Sequence, residues 1–235
     1  MAFLQRLAFL AVLAAVGVSY GRKRLAELPR ESAYGGTMIG EHRTMHNQMD
    51  ESGSAFAFLV RGSETDGARM VVMEVCQPGS PVVFETGKPC SPPYHFHTSQ
   101  VETFEILSGV FTYRADGSEP KEARPGDTVV VPMGVAHQFW NNHSKPLSLK
   151  VTLEPALTGE VFFENCWGLY RQGYASPMQM LTLLFDHGIT LANVPEPVNL
   201  GIQHILVPFA KLLGYKSMYP EYTSGESMAT LAAMA

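Results

Sequence analysis

The chain has 235 residues and a formal net charge of −5 at pH 7, from 17 Lys and Arg against 22 Asp and Glu. That length suits one generous domain or a domain with an appendage, and the acidic balance removes the electrostatic basis for a nucleic-acid partner. Charged residues make up 17% of the chain against 46% apolar, a low charged share that points to buried or membrane-facing surface.

Residues 1–30 read as a targeting segment. Leu7–Val18 is an unbroken apolar run behind Arg6, the length of a secretory h-region and short for a membrane span. Ala15 and Gly17 suit a signal-peptidase site, whereas Arg22, Lys23 and Arg24 resemble the flank of an uncleaved anchor. Signal peptide, membrane anchor and organelle transit peptide all stay open. The expected setting is the secretory pathway or a membrane, through an N-terminal hydrophobic helix. Residues 31–53 have no clear period and read as a lead-in.

Residues 54–155 read as short strands. AFAFLV (55–60), MVVMEV (70–75), VETFEIL (101–107), VFTYRA (110–115), TVVVP (128–132), HQFWNN (137–142) and LSLKVTL (147–153) are rich in Val, Phe, Tyr and Thr. QPGSP, TGKPCSPP, ADGSEP and RPGD break them with turn chemistry. Many short, closely spaced strands predict an all-β sandwich or closed barrel. Cys76, Cys90 and Cys166 form no disulfide framework. A Cys76–Cys90 bridge fits an oxidising compartment, and isolated small hydrophobes are the preferred reading.

Residues 156–220 read as helical. Val161, Phe162, Phe163, Cys166, Trp167 and Tyr170 recur at helical spacing. Ser176-Pro177-Met178-Gln179 carries an N-cap, a proline at the first helical position and a capping-box glutamine. The helix it opens stops at Gly188. Val198–Leu213 contains Pro208, which predicts a kink. These helices are expected to pack on the barrel or on a second subunit, with 200–216 lying on a membrane as the sharper alternative. Residues 221–235 read as a disordered tail.

The chemistry concentrates in two stretches. His95 and His97 stand two apart, so on a strand both imidazoles face one side. Glu102 follows close enough to join them, and Glu105, three residues on, faces the other way. Imidazole with carboxylate suits a first-row divalent metal. A fourth candidate, His137, follows the turn Pro132-Met133-Gly134.

These residues resemble the cupin superfamily at both of its motifs. The first is H-x-H, four residues, Glu, six residues, Gly, matched by His95, His97, Glu102 and Gly109. The second is Gly, five residues, P-x-G, two residues, His, three residues, Asn, matched by Gly126, Pro132, Gly134, His137 and Asn141. The family often has Gly six residues before the first His; here it is Pro89, with Gly87 nearby, which predicts a shifted turn. The resemblance implies a jelly-roll barrel, a double-stranded β-helix, holding one divalent metal on His95, His97, Glu102 and His137. Fe, Mn, Ni, Zn and Cu are all candidates, with Fe favoured.

Strand alternation predicts the pocket lining. Phe104 and Ile106 share the face of Glu102, and Phe139 and Asn141 share that of His137, while Gln138 and Trp140 point out. Such an apolar cavity suits a small organic substrate. Tyr94 and Tyr113 read as packing before they read as pocket donors, and His187 reads as core or surface. The favoured activity is dioxygenase-type oxidoreduction. The alternatives are a metal-dependent isomerase or lyase, and a non-catalytic small-ligand binder. No dedicated acid or base is evident in the sequence. Pairing into a homodimer is compatible with the family and the apolar helices.

Overall fold

The computed structural model describes residues 37–38, 44–47, 54–78, 90–171 and 175–234. The apolar run 7–18 expected to be a helix, and the turn at Gly87 and Pro89, lie outside the described residues.

Twelve strands are described. They are β1 (Thr37–Met38), β2 (Thr44–Asn47), β3 (Ala55–Val60), β4 (Met70–Cys76), β5 (His95–His97) and β6 (Val101–Ser108), followed by β7 (Phe111–Ala115), β8 (Lys121–Ala123), β9 (Thr128–Val131), β10 (His137–Trp140), β11 (Leu147–Glu154) and β12 (Ile189–Leu191). They form two antiparallel sheets, ordered β1-β2-β3-β4-β11-β6-β9 and β12-β5-β10-β7-β8. Two of the strands, β1 and β2, fall in the lead-in expected to lack elements.

Alternation builds the interior. Glu102, Phe104 and Ile106 of β6 are buried, as are Leu147, Leu149, Val151 and Leu153 of β11, while the residues between them are only partly covered. This is the period-2 pattern of a sheet with one face on the core. Between the sheets, Phe104 and Ile106 meet Phe111, Phe139 and Val131. Fully burying each such side chain contributes about 1.5–3 kcal/mol. Turns close the strands where the backbone needs glycine. Gly109 sits at φ +81°, and a Cβ there would overlap the Pro146 carbonyl.

The chain after β11 is helical, as the periodicity predicts. The first helix, α1 (Gly159–Arg171), lays Phe163 against Phe56, Phe58, Met70 and Leu153 of the larger sheet. The next, α2 (Pro177–Asp186), has Ser176 as N-cap, its side chain accepting from Gln179 N at 3.3 Å. The Gln179 side chain does not close the expected box; it donates to Lys216 O and accepts from the Tyr219 hydroxyl.

Pro208 does not break the next helix. A π-helical turn, Ile202–Leu206, joins α3 (Glu196–Gly201) to α4 (Val207–Leu212). Shifting to the wider turn absorbs the missing proline donor. The tail expected to be disordered instead carries α5 (Gly225–Met234), and Tyr222 before it and Ser227 within it are buried. Tyr222 packs with Leu169, Met180 and Leu183, and the Arg61 guanidinium reaches Glu160, Glu164, Ser224 and Ser227 and so joins three remote segments. Among the described residues, no helix is long and apolar enough to cross a membrane.

Candidate metal centre

The two sheets bring the four motif side chains to one point. His95 and His97 lie on β5, and His137 lies opposite His95 on the neighbouring β10. Glu102 reaches them from β6, on the facing sheet. The carboxylate therefore arrives across the sandwich rather than from an adjacent strand. His137 Nε2 lies 2.7 Å and His97 Nε2 3.2 Å from Glu102 Oε2, and His95 Nε2 lies 3.3 Å from His97 Nε2. All four side chains are buried, and their ligand atoms lie within 4.8 Å of one another.

Backbone carbonyls orient two of the rings. His95 Nδ1 donates to Pro93 O at 2.7 Å, and His137 Nδ1 donates to Val135 O at 3.0 Å. A carbonyl only accepts, so each Nδ1 carries a proton and Nε2 is the nitrogen each ring turns to the centre, where the neutral imidazole offers a lone pair. Lone pairs and a carboxylate facing one another repel unless a proton or a metal cation joins them. The donor set therefore fits a single divalent metal ion, with three imidazoles and one carboxylate as its ligands.

Where no metal joins them, a proton on His137 Nε2 serves Glu102 in its place. Burial pushes the His95 pKa well down, and the neighbouring His137 and His97 push it further. Burial pushes Glu102 up, but His97 and the hydrogen bonds from His137 and His97 outweigh it, holding the carboxyl far below its usual range. For His137, burial lowers the pKa and the Glu102 hydrogen bond more than reverses it.

The motif's other residues hold this arrangement. Gly134, at φ +77°, donates its N–H to His97 O at 2.9 Å, tying the second motif to the first. Asn141 donates to Cys76 O and Lys145 O and accepts from His143 N. Its amide is engaged in the 141–145 turn and does not line the cavity beside the metal cluster.

That cavity is about 80 Å³ and is walled by both barrel and helices. This is room for roughly five to eight water-sized spheres at about 10–15 Å³ each. Of the four expected lining residues, Phe139 lines it. Phe104 stands behind His137 with ring centroids 6.3 Å apart, and Ile106 packs deeper between the sheets. Gln138 and Trp140, expected outside, are buried at 1% and 4% exposure. The Ser91–Pro92 segment covers that face, and Gln138 donates to Ser91 Oγ and Pro92 O. Tyr94 accepts from Gly117 N beneath the Arg114 guanidinium, and Tyr113 stacks on Phe111.

Sequence reasoning missed the roof. Phe162, Phe163 and Trp167 of α1 and Met180 and Leu184 of α2 cover the cavity. Strand β12 pairs with β5, opposing Ile189 to His97, so the helical segment is stitched to the ligand strand itself. Glu74 and His187 also face this cavity. Period 2 along β4 puts Glu74 on the Val72 and Cys76 face, a polar residue at a core position and the one signal that could have revealed it. His187 donates from Nε2 to Ser217 O at 3.2 Å and accepts at Nδ1 from the Thr158 hydroxyl at 2.7 Å.

Contrary to the preferred reading of the cysteines, Cys76 and Cys90 form a disulfide, while Cys166 is a buried free thiol. The spacing alone could not decide this; the approach of the end of β4 to the segment before β5 does. Burial, and then Glu74, push the Cys166 thiol pKa up.

The cupin domain family matches residues 82–153. The Hypocrea virens protein named probable oxidoreductase virH is 31% identical over 194 residues, covering 75% of this chain and 85% of that one. The Aspergillus terreus protein named epoxidase atD is 25% identical over 154 residues, and the Aspergillus clavatus protein named probable oxidoreductase patJ is 29% identical over 155. The chain spans about half the length of these two, 48% of each. A cupin 2 conserved barrel domain protein from Salinispora arenicola aligns at 18% identity and a TM-score of 0.34, over 44% of this chain and 77% of that one. Its two motifs intact, four candidate ligand side chains converging between two antiparallel sheets and its fungal relatives named as probable oxidoreductases, the chain belongs to the cupin superfamily.

Proposed function

We propose that the protein is a metal-dependent oxidoreductase of dioxygenase type, acting on a small, largely apolar organic molecule beside His95, His97, Glu102 and His137. The observation that carries this reading is the placement of a buried three-histidine, one-carboxylate cluster at the wall of an apolar cavity. Relatives named as oxidoreductases and an epoxidase support it. A divalent iron or copper ion bound there would supply the redox chemistry that activates dioxygen. The chain's own residues do the rest. Phe139, Phe162, Trp167, Met180 and Leu184 exclude water and hold an apolar body. The Pro93 and Val135 carbonyls keep the rings of His95 and His137 turned inward. Iron is the favoured metal.

One observation favours a second reading. Glu74 places a buried carboxylate in the same cavity, where it could accept a substrate proton, as an isomerase or lyase requires. Placement in the secretory pathway or at a membrane through residues 7–18 belongs to this proposal, supported by the Cys76–Cys90 disulfide, which suits an oxidising compartment. A homodimer is part of it as well.

Elemental analysis of protein purified without added metal, beside His97→Ala, tests the reading. About one iron or copper per chain, lost in the variant, together with oxygen uptake on small aromatic or enolic compounds, is expected. Zinc, manganese or nickel without oxygen uptake would move the assignment to isomerase or lyase chemistry. A chain that takes up no metal would overturn both.

A further inference from the structure

We propose that the Cys76–Cys90 disulfide is a positioning element for His95, so that opening it by reduction weakens metal binding at the cluster. The inference rests on the metal-site reading and adds a form of control to it. Its basis is a short chain of contacts. Cys76 ends β4 of the larger sheet, and Cys90 stands five residues before His95 in the smaller one. The bridge therefore pins the segment 90–93 to the opposite sheet. The Pro93 carbonyl in that segment receives His95 Nδ1–H at 2.7 Å, which is what aims Nε2 at the centre.

The ligands differ in how they depend on this segment. The backbone of His97 is held by Gly134 N and by pairing with Ile189. His137 is oriented by Val135 O, within its own turn, and its strand pairs along four residues with β7. The backbone of His95 is paired too, with His137 and Leu191. The direction of its ring, however, depends on Pro93 O. Two ties flank that carbonyl. Beyond it, Tyr94 accepts from Gly117 N and its carbonyl accepts from Ala192 N. Before it, Gln138 holds Ser91 Oγ and Pro92 O, and the disulfide holds Cys90. Once the bridge opens, the Gln138 side-chain contacts and the single backbone bridge at Ser91 are what remain on the near side among the described residues. Losing the group that orients a metal-bound imidazole typically costs 10–100-fold in metal affinity.

Reduction of a disulfide adds two electrons and two protons and leaves two thiols. A dithiol or phosphine supplies the electrons and is itself oxidised. The rest of the site needs no change in redox state, so a Lewis-acid metal that the reductant leaves alone reports geometry at the cluster, and the Cys76→Ser/Cys90→Ser form removes the thiols that reduction would otherwise offer it beside Glu74.

Co(II) is that probe. The full chain is loaded with Co(II) in its oxidised form, after reduction with a phosphine, and as Cys76→Ser/Cys90→Ser. Affinity is read by competition with a chromophoric chelator. Ring orientation is read from the shifted imidazole N–H resonances of the Co(II) protein, that of His95 being assigned by its absence in His95→Gln. Expected is a slowly exchanging His95 resonance in the oxidised protein, its loss in both opened forms, the His137 resonance kept, and an affinity lower by roughly 10–100-fold. Gln138→Leu combined with reduction should weaken binding further.

Equal affinities within twofold, with the His95 resonance retained, would overturn the inference and leave the metal site standing. Loss of the barrel's circular dichroism on reduction would also overturn it, because the bridge would then hold the whole fold. No Co(II) uptake by the oxidised protein would instead refute the underlying metal-site reading.

Discussion

Arg61 is the test of how the roof is held over the site. Its side chain is 8% exposed, stacks 4.4 Å from the Phe58 ring centroid, and donates from one terminal nitrogen to Glu160 at 2.9 Å and Ser227 at 3.1 Å. Glu164 stands 3.5 Å away, also buried, and Glu160 further accepts from Gly62 N. Arg61→Ala leaves two buried carboxylates facing each other without their cation. Breaking a buried pair in this way costs about 3–5 kcal/mol. The Glu226 contact adds little, because that carboxylate is 67% exposed. At about 2–4 °C per kcal/mol for a chain of this size, the melting temperature should fall by roughly 6–20 °C.

Urea unfolding of chelator-treated protein, followed by near-ultraviolet circular dichroism, measures the cost without a contribution from bound metal. The decisive control is Arg61→Met with Glu160→Gln and Glu164→Gln. Replacing the whole charged set by neutral groups of similar volume should recover more than half of the loss, since the penalty lies in unpaired charge rather than in missing attraction. A single-variant cost below about 1 kcal/mol, or a triple variant no more stable than Arg61→Ala, would refute the account of Arg61 as the buried clamp between the barrel, α1 and the C-terminal segment.

Three further outcomes follow from the same structure. Burial lowers the His187 pKa below its ordinary value, outweighing the carbonyl of Ser217, so the folded state resists its protonation. Its contribution is complete above about pH 6.5 and is lost as pH falls through the depressed folded value; the acid-side slope of stability should be shallower in His187→Gln, measured by urea midpoints across that range. Gly109→Ala forces a Cβ onto the Pro146 carbonyl at positive φ and should cost about 1–3 kcal/mol in chemical denaturation, with metal content per folded chain unchanged. Leu184→Phe narrows the cavity from the roof; metal content should match the wild-type chain while oxygen uptake with any compound that supports it falls, and unchanged uptake would remove α2 from the substrate wall.

The barrel strands were legible because their side chains obey one rule. Along 102–106 of β6 and throughout β11 every second residue is large and apolar or belongs to the cluster, and the turns between strands carry Gly, Pro and Asp. The candidate metal ligands were legible for a related reason: two rings on one face of a strand, at a fixed distance in sequence from a carboxylate and a third ring. The short strands resist such reading. Strand β8 is Lys-Glu-Ala and takes its structure from pairing with Phe111, Thr112 and Tyr113. Strand β12, Ile-Thr-Leu, follows directly on a helix end at Gly188 and takes its strand pairing from β5. The C-terminal helix looked like a tail because its serines and glutamate find their cation 163 to 166 residues earlier in the chain. Ser224, which accepts from Ser227 N at 3.1 Å and precedes Gly225-Glu226, was nonetheless an N-cap signal in plain view.

The cluster and its cavity differ in kind on this point, and the difference bears on function. Ligands are fixed by spacing within two motifs, because each motif is one strand-turn unit whose geometry is local. The cavity is a surface where remote segments meet: Glu74 from β4, Phe139 from β10, Trp167 from α1, Leu184 from α2. Nothing in the local pattern of any one of them states that the others are opposite. A sequence can therefore reveal which centre a cupin builds while leaving open what that centre faces. In this chain the missing half is supplied by helices that read as an appendage. They are stitched to the ligand strand by β12 and clamped to the barrel by Arg61. On the proposed function, substrate choice is a property of α1 and α2 more than of the barrel, and variation in those helices can change it without disturbing the four candidate ligands.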